Sequence, residues 1–157
     1  MINFFESSNV AIWVGESLYA YPALLACHIV GLAIVAGIYA MRDLRMLGYF
    51  PDVDHQGFLA LNKLALAGFA INAASGFLLF ISQASYLLTS IPFLSKLSCI
   101  AVAMSLSWLI NQRIREATIS QGAELLTDQT AIRVMACASL ALWTGAIIAG
   151  RLIAYIF

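Results

Sequence analysis

His28, Lys96 and Arg151 are side chains whose types can do chemistry, and each is set in a long apolar run. An imidazole can ligate a metal or pass a proton near neutral pH. An ammonium and a guanidinium can hold carboxylate or phosphate oxygens. A charge at the bilayer centre costs ~2.5 kcal/mol or more even on lenient scales, so such groups read first as functional. Together the three would suit b-type haem or a porphyrin, with His28 as the axial metal ligand and Lys96 and Arg151 as propionate partners. The two cations alone would also suit a carboxylate, a lipid phosphate or a quinone oxygen, but haem is the ligand that uses all three residues. Plainer roles stand beside these. Lys96 can snorkel into headgroups, Arg151 can offset a helix dipole, and His28 can hydrogen-bond between helices. One histidine gives at most a five-coordinate iron from a single chain, because His55 falls in a charged loop on the opposite side. The residue types name no catalytic group.

Depth is what groups these residues. At ~1.5 Å per residue, His28 lies ~9 Å beyond Pro22, Lys96 ~6 Å beyond Pro92, and Arg151 ~9 Å from the C-terminus. Three helices thus bring ionisable groups to one level. No Asp or Glu is expected inside a span to balance them; Glu6 and Glu16 are the acids on that side.

The elements that must position them follow from composition. Of 157 residues, 62% are hydrophobic and only 10% charged, with zero net charge. A soluble domain carries about 25% charged residues, so a soluble enzyme, a disordered chain and a nucleic-acid binder are all excluded. The expectation is an all-α integral membrane protein, a single domain built as a four-helix transmembrane bundle with a short N-terminal interfacial helix. Spans of ~20 apolar residues fall at about 22–41, 64–82, 92–110 and 134–157, with an interfacial segment over 3–20. Ser8 or Asn9 supplies its N-cap, and Pro22 marks a bend or the first turn of the first span. Arg42, Arg45, Lys63, Arg113, Arg115 and Arg133 flank the 42–63 and 111–133 loops, six of the eight basic residues. Those loops should be cytoplasmic and both termini outside.

Small residues predict which faces pack. Gly68, Asn72 and Gly76 recur every fourth residue in the second span, and Cys137, Ala141, Gly145 and Ala149 in the fourth. Asn72 should point into the bundle. Cys27, Cys99 and Cys137 read as buried small hydrophobes, not a disulfide framework. Arg42, Asp43 and Arg45 read as an interfacial anchor with a local ion pair.

The stretch Cys27-His28-Ile29-Val30-Gly31, then Gly37, then Arg42-Asp43-Leu44-Arg45-Met46-Leu47-Gly48, resembles the LHxxG…DLRxLG signature of a family of small four-helix bacterial inner-membrane proteins. Ser75 to Phe80, Pro92 to Lys96 and Gly150 to Tyr155 resemble its later segments, so the likeness covers nearly the whole chain. More distantly, the early histidine and the lysine opening the third span resemble the copper-resistance protein D-like membrane proteins and the HemJ-type protoporphyrinogen oxidases. That resemblance implies a bound b-type haem, with the paired His and Lys at His28 and Lys96. Where those relatives often carry a histidine at the end of the third span, this chain has Asn111-Gln112.

Two functions are therefore expected. One is a redox-related membrane protein binding haem b or a porphyrin in an outer-leaflet pocket. The other is a non-catalytic accessory subunit holding lipid or quinone there. Either implies a multi-pass protein of the bacterial inner membrane, in contact with the lipid bilayer and partnered by a second copy or another membrane subunit. A transporter is disfavoured, because no broken helix and no acid within a span is evident.

Overall fold

The structure is a computed structural model that describes residues 6–50, 55–119, 129–153 and 155. Every regular element among them is a helix: α1 (Asn9–Glu16), α2 (Ala20–Met46), α3 (His55–Ile81), α4 (Ala84–Leu87), α5 (Ile91–Ile119) and α6 (Gln129–Leu152). The expected all-α four-helix bundle is present. Four helices are long and apolar enough to cross a membrane, which indicates a multi-pass membrane protein.

Each long helix outruns its apolar window. At ~1.5 Å per residue, the 27 residues of α2 extend ~40 Å, against a hydrocarbon thickness of ~30 Å. Backbone hydrogen bonding continues into the charged flanks because nothing there breaks a helix. The 42–63 and 111–133 loops therefore shrink towards residues 47–54 and 120–128, and the fourth helix ends at Leu152. Gly48 closes α2 with φ of 96°, a left-handed conformation that glycine adopts without a Cβ penalty. His55 opens α3; its side chain lies outside the described residues.

The helices stand in a square, in the order α2, α3, α5, α6, with α2 and α5 facing each other across the diagonal. The buried centre is Val35, Ala36 and Tyr39 of α2, Ala65 of α3, Ala103 of α5 and Trp143 of α6. Most other large apolar side chains face outward, as lipid-facing residues should.

α1 is a separate short helix rather than an extension of the first span. Ser8 is its N-cap, its Oγ accepting from the Ala11 amide at 3.2 Å. Ala11 and Val14 are buried while Trp13 is exposed, so α1 lies across the ends of α2 and α3. Ser17 Oγ accepts from the Ala20 amide at 3.2 Å, and Pro22 sits in the first turn of α2, where its missing N–H costs nothing.

The small-residue faces divide. Gly31 and Gly68 bring α2 and α3 into backbone contact: a Cβ on Gly31 would stand 2.7 Å from both Asn72 N and Gly68 O. The expected Gly68, Asn72, Gly76 face does pack. The expected α6 face packs only in its second half: Ala149 is buried and Gly145 faces Cys99, while Cys137 and Ala141 are exposed. The buried stripe is Ile132, Ala136, Ser139, Trp143, Ala146 and Ala149, rotated from the expected one over its first half. The cysteines follow suit: Cys27 and Cys137 are exposed and Cys99 is half-buried.

Candidate functional site

His28 projects from α2 onto α3 at the end of the bundle that carries α1. Gly76 makes this possible, since a Cβ there would lie 2.8 Å from His28 Cε1. His28 Nδ1 is 2.9 Å from the Asn72 carbonyl oxygen. A carbonyl only accepts, so Nδ1 carries the proton and Nε2 holds the lone pair. Asn72 answers by donating from Nδ2 to the His28 carbonyl at 2.8 Å, and Ser75 Oγ lies 3.4 Å from Nδ1. These bonds lock the ring's orientation.

Lys96 reaches His28 from α5, across the diagonal. Its stem runs over Gly150 of α6, whose added Cβ would meet Lys96 Cδ at 3.4 Å. Its Nζ then lies 2.9 Å from His28 Nε2, an ammonium donating to the free lone pair. The imidazole is thus the neutral Nδ1–H form, because an imidazolium would turn a second donor on the ammonium. Ammonium has three N–H groups. Among the described residues no carboxylate pairs with it. Both side chains are only partly buried. One turn nearer the α1 end, Phe80 of α3 and Phe93 of α5 stack with centroids 5.6 Å apart and planes within 7°.

Arg151 does not join them. It is exposed, its Nη2 donates to Tyr155 OH at 3.1 Å, and its guanidinium lies 5.3 Å from the Tyr155 ring centroid. Gly150 is the residue facing Lys96, so Arg151 points about 100° away around the helix. The sequence reasoning brought His28 and Lys96 together, and missed Asn72, Ser75, Gly76, Phe80 and Phe93 as their setting. The fourfold spacing of Gly68, Asn72 and Gly76 was the available signal.

A second polar cluster lies at the opposite end. Arg42 and Asp43 form the expected local ion pair, at 2.6 Å, but they are 1% and 0% exposed, which corrects the interfacial-anchor reading and the expectation of no acid within a span. Arg42 Nε donates to Asp43 Oδ1 at 2.9 Å, and Nη1 donates to Ser107 O and Asn111 Oδ1, both at 3.0 Å. Nη2 reaches Asp43 Oδ1 at 2.6 Å and Ser107 Oγ at 3.3 Å. All five guanidinium N–H groups are thereby spoken for. The guanidinium also lies 4.8 Å from the Tyr39 ring centroid. Tyr39 OH and Asn111 Nδ2 both donate to Asn62 Oδ1, at 3.1 and 2.8 Å. Asp43 Oδ2, Ser139 Oγ and Trp143 Nε1 are buried, and none of the three makes a hydrogen bond of good geometry among the described residues.

For haem, the residues fit poorly as arranged. Nε2 faces the ammonium, the ring's Cε1 edge abuts α3 at Gly76, and only one of the two expected propionate cations is present. Among the described residues there is no group of three or more His, Cys, Asp or Glu side chains that could hold a metal ion. A shallow depression of about 420 Å³, lined by Met104, Ser105, Trp108 and Leu109, touches none of the site residues. No protein-family model, curated protein or solved structure matches the chain.

Proposed function

We propose that this is a membrane-embedded binding protein, an accessory subunit rather than an enzyme, whose His28–Lys96 pair holds the oxygen-bearing headgroup of a membrane amphiphile. The observation that carries this reading is Lys96 itself. It is a partly buried ammonium beside a neutral imidazole, with no carboxylate partner among the described residues. Such a cation is stabilised by an acceptor oxygen, and its remaining N–H groups are the donors for one. A lipid phosphate, a carboxylate or a quinone carbonyl supplies that oxygen. His28, locked by Asn72, keeps Lys96 aimed at one place. With the 42–63 and 111–133 loops in the cytoplasm of a bacterium, the site lies in the outer leaflet of the inner membrane. A second copy or a larger membrane complex covers part of the exposed apolar surface.

The haem reading keeps one specific support. An Nδ1–H bonded to a backbone carbonyl is the arrangement that orients Nε2 for a metal. Iron ligation then requires Lys96 to swing from Nε2 to a propionate. The absorption spectrum of protein purified from haem-replete cells separates the readings. Headgroup binding predicts no Soret band, with lipid or quinone in the co-purified extract of the wild type and its loss from Lys96→Met. A stoichiometric Soret band abolished by His28→Ala would overturn it. Orientation is tested by single cysteines in a cysteine-free background: Ser85→Cys should label with an impermeant reagent in intact cells, and Asp54→Cys and Gln121→Cys should not.

A further inference from the structure

The ligand's ring can be inferred from what surrounds its proposed oxygen site. Phe80 stands one helical turn beyond Gly76, the residue that seats His28, and Phe93 stands just under one turn before Lys96. The two rings meet across the α3–α5 seam, 5.6 Å between centroids and 7° from parallel. Both are half-buried, so part of the pair is open to the surroundings of the bundle from which an amphiphile would enter. Near-parallel rings offer flat apolar outer faces, on which a third flat ring can stack. A phospholipid headgroup has no flat ring to place there.

We propose that the Phe80–Phe93 stack is the ring-binding element of this site and that the ligand is a quinone. Its planar ring lies against the phenyl faces, a carbonyl oxygen accepts from Lys96 Nζ, and its isoprenoid tail runs into lipid along the α3–α5 seam. This rests on the His28–Lys96 pair being a headgroup site, and it selects quinone among the amphiphiles that reading admits. Binding alone is assigned, with no electron transfer. Phe80 and Phe93 act as specificity-determining residues: a stacked pair of rings is worth a factor of about three to ten in affinity, whereas Lys96 supplies the polar anchor common to any acceptor headgroup.

The test uses the full chain in phosphatidylcholine nanodiscs, titrated with decylubiquinone and, separately, with phosphatidylglycerol. Phe80→Leu and Phe93→Leu keep apolar bulk and remove the ring, and circular dichroism checks that each variant remains helical. The proposal expects saturable decylubiquinone binding that weakens about three- to tenfold in each Leu variant and is lost in Lys96→Met, with phosphatidylglycerol binding unchanged by the Leu substitutions. Decylubiquinone binding that needs Lys96 but ignores both Leu substitutions overturns the ring slot. Phosphatidylglycerol binding that needs Lys96, without any quinone binding, overturns the quinone and leaves the headgroup site standing. Independence of both ligands from Lys96 overturns the headgroup site as well.

Discussion

Two polar clusters cross the same diagonal from α2 to α5 at opposite ends of the bundle, and they differ in closure. At the charged-loop end, Arg42 is sealed and every guanidinium N–H meets an acceptor. At the α1 end, Lys96 is partly exposed and, among the described residues, meets only His28. A buried guanidinium with every N–H taken has nothing left to offer a ligand, so its effect is to tie α2 to α5. An unsaturated cation at a reachable depth is the reverse, cheap to remove and able to bind. Function should therefore separate from stability along the length of the bundle.

The largest effect should come from Asp43→Asn. It leaves Arg42 buried without its counter-charge, which costs about 3–5 kcal/mol. Unfolding in mixed micelles should show this loss, and the double variant Arg42→Met with Asp43→Leu should recover much of it. An Asp43→Asn protein as stable as the wild type would break the contrast at its stronger end.

Next is Gly31→Ala. The new methyl meets backbone rather than a movable side chain, at 2.7 Å from Asn72 N and Gly68 O. Parting α2 from α3 should cost roughly 1–3 kcal/mol, read in the same unfolding assay. Because Asn72 also holds His28, headgroup binding should fall with it.

Lys96→Met should change stability by less than about 1 kcal/mol, because losing the bond to His28 is offset by removing a partly desolvated charge. It should nonetheless abolish ligand co-purification. If it destabilises as much as Asp43→Asn, the α1-end cluster is structural and the two ends do not differ in kind.

The smallest effect concerns Glu6. Its carboxylate accepts from the Ser85 amide and hydroxyl, both at 2.7 Å. These two bonds hold its pKa below the ordinary carboxylate value. The contact is therefore fully made above that ordinary value and is lost as pH falls through the lowered one. Amide exchange at Ser85 should quicken over that acidic range, and Glu6→Gln should remove the pH dependence while global stability stays unchanged. Equal exchange in wild type and variant at every pH would show that the contact does not form in solution.

Much of this was written in the sequence. Apolar runs and their charged flanks located four spans, because transfer of about 20 residues into hydrocarbon depends on composition alone. Ser8 announced its cap, and counting residues from helix starts put His28 and Lys96 at one depth. What no such count supplies is rotation. A helix that is apolar all round has no polar stripe to say which way it faces. Arg151 therefore matched the depth of His28 and yet turned to Tyr155, and the fourfold run from Cys137 proved to be a face with two exposed members while Ser139 and Trp143 went inside. Arg42 and Asp43 looked like an anchor for headgroups. Only packing, with Ser107, Asn111 and Asn62 supplied by α5 and α3 from far along the chain, could make burial of a charge pair tolerable. Hydropathy decides how deep a residue lies; side-chain fit between helices decides what it meets.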